Sequence, residues 1–141
     1  MSIKEILHQT RNIAIIGCSS NQNRTSFQIA RYLKNSGFTI IPVNPNEESV
    51  LGEKSYPAMK NLPEDIVIDM VVIFRNKKFT EEMVGQIAEW SVHTGQRPVI
   101  WTQLNVSTAG ARHLADKNEL QYIENRCVMV EHRQLVDLNL P

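Results

Sequence analysis

The run Ile13-Ala14-Ile15-Ile16-Gly17 narrows the possible architecture more than any other stretch of the chain. It is apolar at every position and closes on a glycine. A strand that is apolar on both faces must be covered on both faces, as in a parallel sheet between two layers of helices. A polar loop, Cys18 to Arg24, follows. Thr25-Ser26-Phe27-Gln28 then reads as a capping box, with Thr25 as N-cap and Gln28 three residues on. Ile29, Ala30 and Leu33 form the apolar face of the helix, and Gly37 stops it.

The alternation continues. Phe38 to Val43 reads as a second strand, turned by Asn44-Pro45-Asn46. Ser55-Tyr56-Pro57 fits a short edge strand, where a proline does least harm. Asp69 to Phe74 is another buried strand. Thr80 reads as the cap of a helix with Glu81 and Glu82 in its first turn, favourable for the helix dipole. Its inner face is Met83, Val84, Ile87, Ala88 and Trp90. Pro98 introduces the strand Val99-Ile100-Trp101. Ser107 caps a helix with Ala111, Leu114 and Ala115 inward. Leu120 to Ile123 is the last strand, and the tail from Glu131 holds a short helix. The predicted fold class is α/β: a doubly wound, mostly parallel sheet of about five to six strands with helices on both faces. The length, 141 residues, fits a single domain over 1–141.

Composition removes several classes of partner. Lys+Arg and Asp+Glu both total 15, so the formal net charge is zero. No bulk field draws the chain to nucleic acid or to an anionic membrane. The apolar runs Ile13–Cys18 and Met70–Phe74 are far too short to span a bilayer. Cys18 and Cys127 make no disulfide framework, and Met1 to Arg11 is polar and helix-like rather than a signal peptide. The expectation is a reduced, cytoplasmic protein.

Open α/β sheets bind ligands beyond the carboxyl ends of their strands, where the strand order reverses. With the first strand central, its loop, Gly17 to Ser26, and the loop Phe74-Arg75-Asn76-Lys77-Lys78 flank that crevice. The first loop has a glycine at the sharp turn, small hydroxyl and amide side chains, and a helix N-terminus that suits phosphate. Arg24 adds a two-pronged contact. The alternative is an ordinary polar loop before a capped helix. Arg75 follows a buried strand directly and reads as functional. Lys77 and Lys78 read as a solvated basic turn. The dinucleotide fingerprint is absent: Ser19 and Gln22 stand where glycines are needed, and Val43 is followed by Asn44 and Pro45 rather than by an acid. No P-loop occurs.

The residues resemble a family. Ile15-Ile16-Gly17-Cys18-Ser19 with Arg24 and Ser26, Ile41-Pro42-Val43-Asn44-Pro45, and Val50-Leu51-Gly52-Glu53-Lys54 with Tyr56-Pro57 come first. Then follow Val72-Ile73-Phe74-Arg75, Trp101-Thr102-Gln103-Leu104, and Asn125-Arg126-Cys127 with Glu131-His132. In this order they are similar to the small CoA-binding proteins, stand-alone relatives of the CoA-binding domain of the succinyl-CoA synthetase alpha subunit. The resemblance implies a Rossmann-like fold that holds coenzyme A, or an acyl-CoA, by its ADP-3′-phosphate part. The Gly17, Cys18, Ser19, Arg24, Thr25 and Ser26 segment would receive the pyrophosphate, with Ser19, Arg24 and Ser26 as contacts. Val43, Asn44 and Pro45 would lie by the adenosine. Phe74 and Arg75 would line the other side, the arginine near a phosphate, and Gln103 would face the same crevice. Asn105 stands where the family usually has glycine, and asparagine tolerates the left-handed region better than most residues. Asn125 replaces a frequent aspartate. The phosphate loop lacks the usual prolines.

The expected role is a non-catalytic carrier, sensor or accessory module. The synthetase-type reaction needs a phosphohistidine and an ATP-grasp partner domain, for which this chain is too short. No nucleophile–base–acid constellation can be picked out, and no Cys/His spacing fits a metal. His93 and His113 read as exposed, and His132 as structural. Cys127, with Arg126 beside it, reads as a buried small residue, with a thiol role as the alternative. Cys18 sits near a helix N-terminus, where a thiolate is stabilised. Two other functions stay open: a subunit or enzyme acting on CoA thioesters with a partner chain, and an NAD or nucleotide sensor. Trp90 and Trp101 suit an interface as well as a core.

Overall fold

The computed structural model describes residues 1–138. Five strands form one parallel sheet: β1 (Asn12–Ile16), β2 (Thr39–Val43), β5 (Met70–Ile73), β6 (Val99–Thr102) and β7 (Tyr122–Ile123). Their order is β2-β1-β5-β6-β7, so the winding reverses beside β1, as the sequence predicts. Between β2 and β5 lie a small antiparallel hairpin, β3 (Ser49–Val50) and β4 (Glu53–Lys54), and a 3-10 turn, Met59–Asn61. The helices are α1 (Ile3–Gln9), α2 (Thr25–Asn35), α3 (Thr80–Thr94), α4 (Ala109–Lys117) and α5 (Val128–Leu138).

The alternation of side chains along each strand divides the core into two layers. Ile13, Ile15, Ile40, Met70, Val72 and Trp101 point to the face covered by α1, α2 and α5. Ala14, Ile16, Ile41, Val71, Ile73 and Ile100 point to the face covered by α3 and α4. Both tryptophans, Trp90 and Trp101, are core residues. No helix among the described residues is long and apolar enough to cross a membrane.

Strand register is what positions the site. Ile16 pairs with Val43 on one side and Ile73 on the other, and Ile73 pairs with Thr102. Four strands therefore end level. The next residue of each, Asn44, Gly17, Phe74 and Gln103, stands in a row along the carboxyl edge, with neighbours about 4.8 Å apart.

Several helix starts differ from expectation by one residue. The N-cap of α2 is Arg24, not Thr25, and no side chain caps it. The Thr25–Gln28 box does not form, because the Gln28 amide donates to the Gln22 carbonyl instead, at 3.3 Å. Thr80 is the first residue of α3 and not its cap; its hydroxyl donates to the Val106 carbonyl at 2.6 Å. Thr108, not Ser107, caps α4. The Ser107 hydroxyl is engaged by Tyr122 at 2.8 Å and Glu124 at 2.9 Å. Ser55-Tyr56-Pro57 contributes a single bridge, Tyr56 to Val43, rather than a strand.

Candidate functional site

The loop after β1 is held by backbone on both sides. Gly17 N–H donates to Val43 O, and Phe74 N–H donates to Ile16 O, each at 2.8 Å. Gly17 has φ of +81°, and a Cβ there would strike the Phe74 carbonyl oxygen. Glycine is therefore required twice, by conformation and by space. The loop then folds on its own polar groups. Ser19 N–H donates to Ser26 Oγ at 3.1 Å, Asn21 N–H to Ser19 Oγ at 3.0 Å, and Asn23 N–H to Asn21 Oδ1 at 2.9 Å. It delivers the chain to the start of α2, where the first-turn N–H groups have no side-chain cap.

This uncapped end faces a crevice of about 1120 Å³ along the carboxyl edge of the sheet. The β1 loop supplies Gly17, Ser19, Arg24, Thr25 and Ser26; the end of β2 supplies Val43, Asn44 and Pro45; β5 supplies Phe74 and Arg75; β6 supplies Gln103. Of the expected site residues only Cys18 is absent from the walls. Its side chain is 0% exposed and packs into the core layer under α2. Burial, and then the charge of Glu47, push its thiol up to about 12. The expected thiolate stabilisation is thus reversed, because desolvation outweighs the helix dipole. The backbone of Cys18 still serves the site: its carbonyl accepts from Asn44 Nδ2 at 3.0 Å and fixes the β2 turn.

The charges in the crevice are mixed. Arg24 is exposed at its rim, and the Arg75 guanidinium lies over the Phe79 ring at 4.3 Å. Glu47 reaches in from the turn after β2 and takes both Ser20 N–H, at 2.6 Å, and Ser20 Oγ, at 2.8 Å. Sequence reasoning missed Glu47 because it sought an acid directly after Val43, and this one comes four residues later. It also missed Cys127 as a wall residue. Cys127 is half-buried at the start of α5. Its neighbour Arg126 is paired with Glu131 at 2.9 Å.

At the far end, Gln103 is 7% exposed, and its Oε1 accepts from Val128 N–H at 2.9 Å. This crevice residue therefore also caps α5. Asn105 does adopt the left-handed region, with φ of 61°, and its N–H donates to Asn125 Oδ1 at 3.2 Å; Asn125 itself has φ of 58°. His132 faces away from the crevice, with Nδ1 2.8 Å from Tyr32 OH. Its structural reading stands. His93 and His113 are exposed.

A second cleft of about 850 Å³ lies at the start of α4. Its polar groups are largely spent on one another: Arg112 pairs with Glu124 at 2.8 Å and approaches Asp116 at 3.8 Å.

Fold and crevice together define a Rossmann-like α/β protein with an anion-suited cleft at its switch point. The CoA binding domain family matches residues 11–133, and the chain belongs to that family. It is 33% identical over 130 residues to the uncharacterized protein YneT of Bacillus subtilis, spanning 92% of this chain and 91% of that one. It is 32% identical over 83 residues to the ADP-forming acetate–CoA ligase II alpha subunit of Pyrococcus furiosus, spanning 58% of this chain and 18% of the subunit. Among solved structures, a hypothetical protein from Pyrococcus horikoshii OT3 superposes with a TM-score of 0.85 at 36% identity, over 95% of this chain and 89% of that one. The chain thus corresponds to nearly all of its small relatives and to a minor part of the ligase subunit.

The residues present fit coenzyme A. Diphosphate needs N–H donors and room for close approach, and the uncapped α2 terminus and the bare Gly17 offer both. Arg24 and Arg75, which line the same crevice, would supply compensating charge.

Proposed function

We propose that the chain, as one domain over 1–141, binds coenzyme A or an acyl-CoA through the ADP-3′-phosphate moiety. Residues 139–141 of that span lie outside the described residues. The pyrophosphate lies on Gly17, Ser19, Ser26 and the first turn of α2, with Arg24 at its rim. The adenosine lies by Val43, Asn44 and Pro45, and Arg75 meets a phosphate beside Phe74. The role is that of a cytoplasmic, non-catalytic carrier, sensor or accessory module. One observation carries the reading: the α2 N-terminus opens without a side-chain cap onto a crevice that Arg24 and Arg75 also line, in a member of a CoA-binding family.

Isothermal titration tests it with CoA, dephospho-CoA, acetyl-CoA and NAD. CoA is expected to bind most tightly, with dephospho-CoA weaker and NAD weaker still. Arg24→Ala is expected to weaken CoA about tenfold, the loss of one charge-assisted hydrogen bond of about 1.5 kcal/mol. Absence of CoA binding at tens of micromolar protein, with the fold intact by circular dichroism, overturns the reading. NAD preference would favour the nucleotide-sensor alternative.

The likeness to a ligase alpha subunit favours a second reading, an accessory chain acting on CoA thioesters with a partner. Co-purification of a partner, with CoA-dependent turnover only in the mixture, would decide for it.

A further inference from the structure

The crevice runs along the carboxyl edge of the sheet and opens onto both of its faces. On one face it meets Ile29, from the core layer under α2 and α5. On the other it meets Ile16, Val43 and Met83, from the layer under α3 and α4. A base attached at the end of β2 can turn toward either face, and the two differ in how they are closed. On the α2 face the β1 loop and the β2 turn are tied together twice. Asn44 Nδ2 donates to the Cys18 carbonyl at 3.0 Å, and Glu47 accepts from both Ser20 N–H and Ser20 Oγ. A ring pushed between them would break these bonds. On the α3 face the wall is apolar. Val43 points there, and Tyr56 bridges to Val43, so Pro57 and Ala58 follow beside the strand end. Met83 closes the slot from α3. A flat heterocycle gains from burial against such a surface.

Helix α3 also brings polar groups to this slot. Gln86 lies one turn after Glu82, on the same side of the helix as Met83, and all three line the crevice. Gln86 is half-buried, and its amide has no hydrogen-bond partner among the described residues. No buried side-chain N or O atom there lacks a partner, so this amide is open rather than sealed. The other buried or half-buried amides of the crevice, Asn44 and Gln103, are committed to the Cys18 carbonyl and to Val128 N–H. A carboxamide sets one acceptor beside one donor. That pair matches the 6-amino group of adenine and the ring nitrogen next to it, two bonds at once. The exposed carboxylate of Glu82 offers acceptors alone.

Resting on the CoA reading above, we propose that Gln86 is the base-reading residue of the crevice. The adenine lies in the apolar slot between Val43, Pro57, Ala58 and Met83. The Gln86 amide oxygen accepts from the 6-amino group, and the amide nitrogen donates to the adjacent ring nitrogen. Gln86 therefore sets the preference for adenine, while the β1 loop and the arginines hold phosphate whatever base is attached.

Isothermal titration of the full chain tests this with CoA and with an analogue in which unsubstituted purine replaces adenine, so that only the 6-amino group is lost. Wild type is expected to bind CoA about five- to tenfold more tightly than the analogue, the effect of one hydrogen bond. In Gln86→Leu and in Gln86→Met, CoA should weaken to the level of the analogue. A residue that only supported the fold of the site would weaken both ligands alike and leave their ratio in place. Glu82→Ala should keep the wild-type ratio. Circular dichroism checks the fold of each variant. Equal binding of CoA and the analogue to wild type overturns the base-reading role while the CoA reading stands, and this outcome needs no variant. A preference that survives in both Gln86 variants, or that disappears in Glu82→Ala, overturns it as well. If wild type binds neither ligand, both readings fall.

Discussion

Three residues carry more of the site than their size suggests. Gly17→Ala must place a Cβ against the Phe74 carbonyl and hold φ near +81°. The conformation alone costs about 1–3 kcal/mol. Urea unfolding should show at least that loss, together with weakened CoA binding. Glu47 acts in the opposite sense. It occupies a loop N–H with a carboxylate, beside the ground where phosphates are proposed to lie. Glu47→Gln should tighten CoA binding about two- to fivefold, the range of an exposed charge pair, as read by titration at low and high salt. Cys18 gives a pH signature. The folded thiol keeps its proton to about pH 12, whereas an unfolded one releases it near 9.0. Between those values the unfolded state binds fewer protons, so stability falls as pH rises; below pH 9.0 the group adds no slope. Cys18→Ala should flatten the alkaline limb of urea midpoints measured against pH.

Among the elements, α5 depends most on side chains from elsewhere. Gln103 caps its first turn, so Gln103→Ala should cost about 1 kcal/mol in urea unfolding. The helix docks through His132, which meets the rings of Tyr32 and Phe38 edge-on. Burial lowers the His132 pKa from 6.5. Below 6.5 the unfolded chain takes up a proton that the folded one refuses, so stability declines as pH falls until the folded value is passed. His132→Gln should reduce that acid slope. The main strands were legible because continuous apolar runs of β-branched residues leave few alternatives. The β3–β4 hairpin was not, because each strand has two residues and its turn uses Leu51 at φ of 54° ahead of Gly52, without an Asn-Gly signal. Helix caps were misread where a hydroxyl found a better tertiary partner, as Thr80 did with Val106. Sequence spacing does not reveal such partners.

At the scale of the molecule, alternation and glycine placement pointed to a crevice between the β1 and β5 loops, the family resemblance added Val43, Asn44, Pro45 and Gln103, and eleven of the twelve expected residues line it. What the sequence could not supply was register. Only the level pairing of four strands puts Asn44, Gly17, Phe74 and Gln103 in one row and brings Cys127 to the end of it. The edges of the same sheet have a separate consequence. On the outer side of β2, Pro42 lacks an N–H, and Tyr56 bonds the Pro42 carbonyl at 3.0 Å and receives the Asn44 N–H at 2.8 Å. At the opposite edge, β7 is two residues long. Neither border offers another chain a long bare row of donors and acceptors, which is how proteins resist growth into extended cross-strand aggregates. A crowded, concentrated solution of this chain is thereby protected from edge-to-edge polymerisation by one tyrosine, one proline and the brevity of a strand.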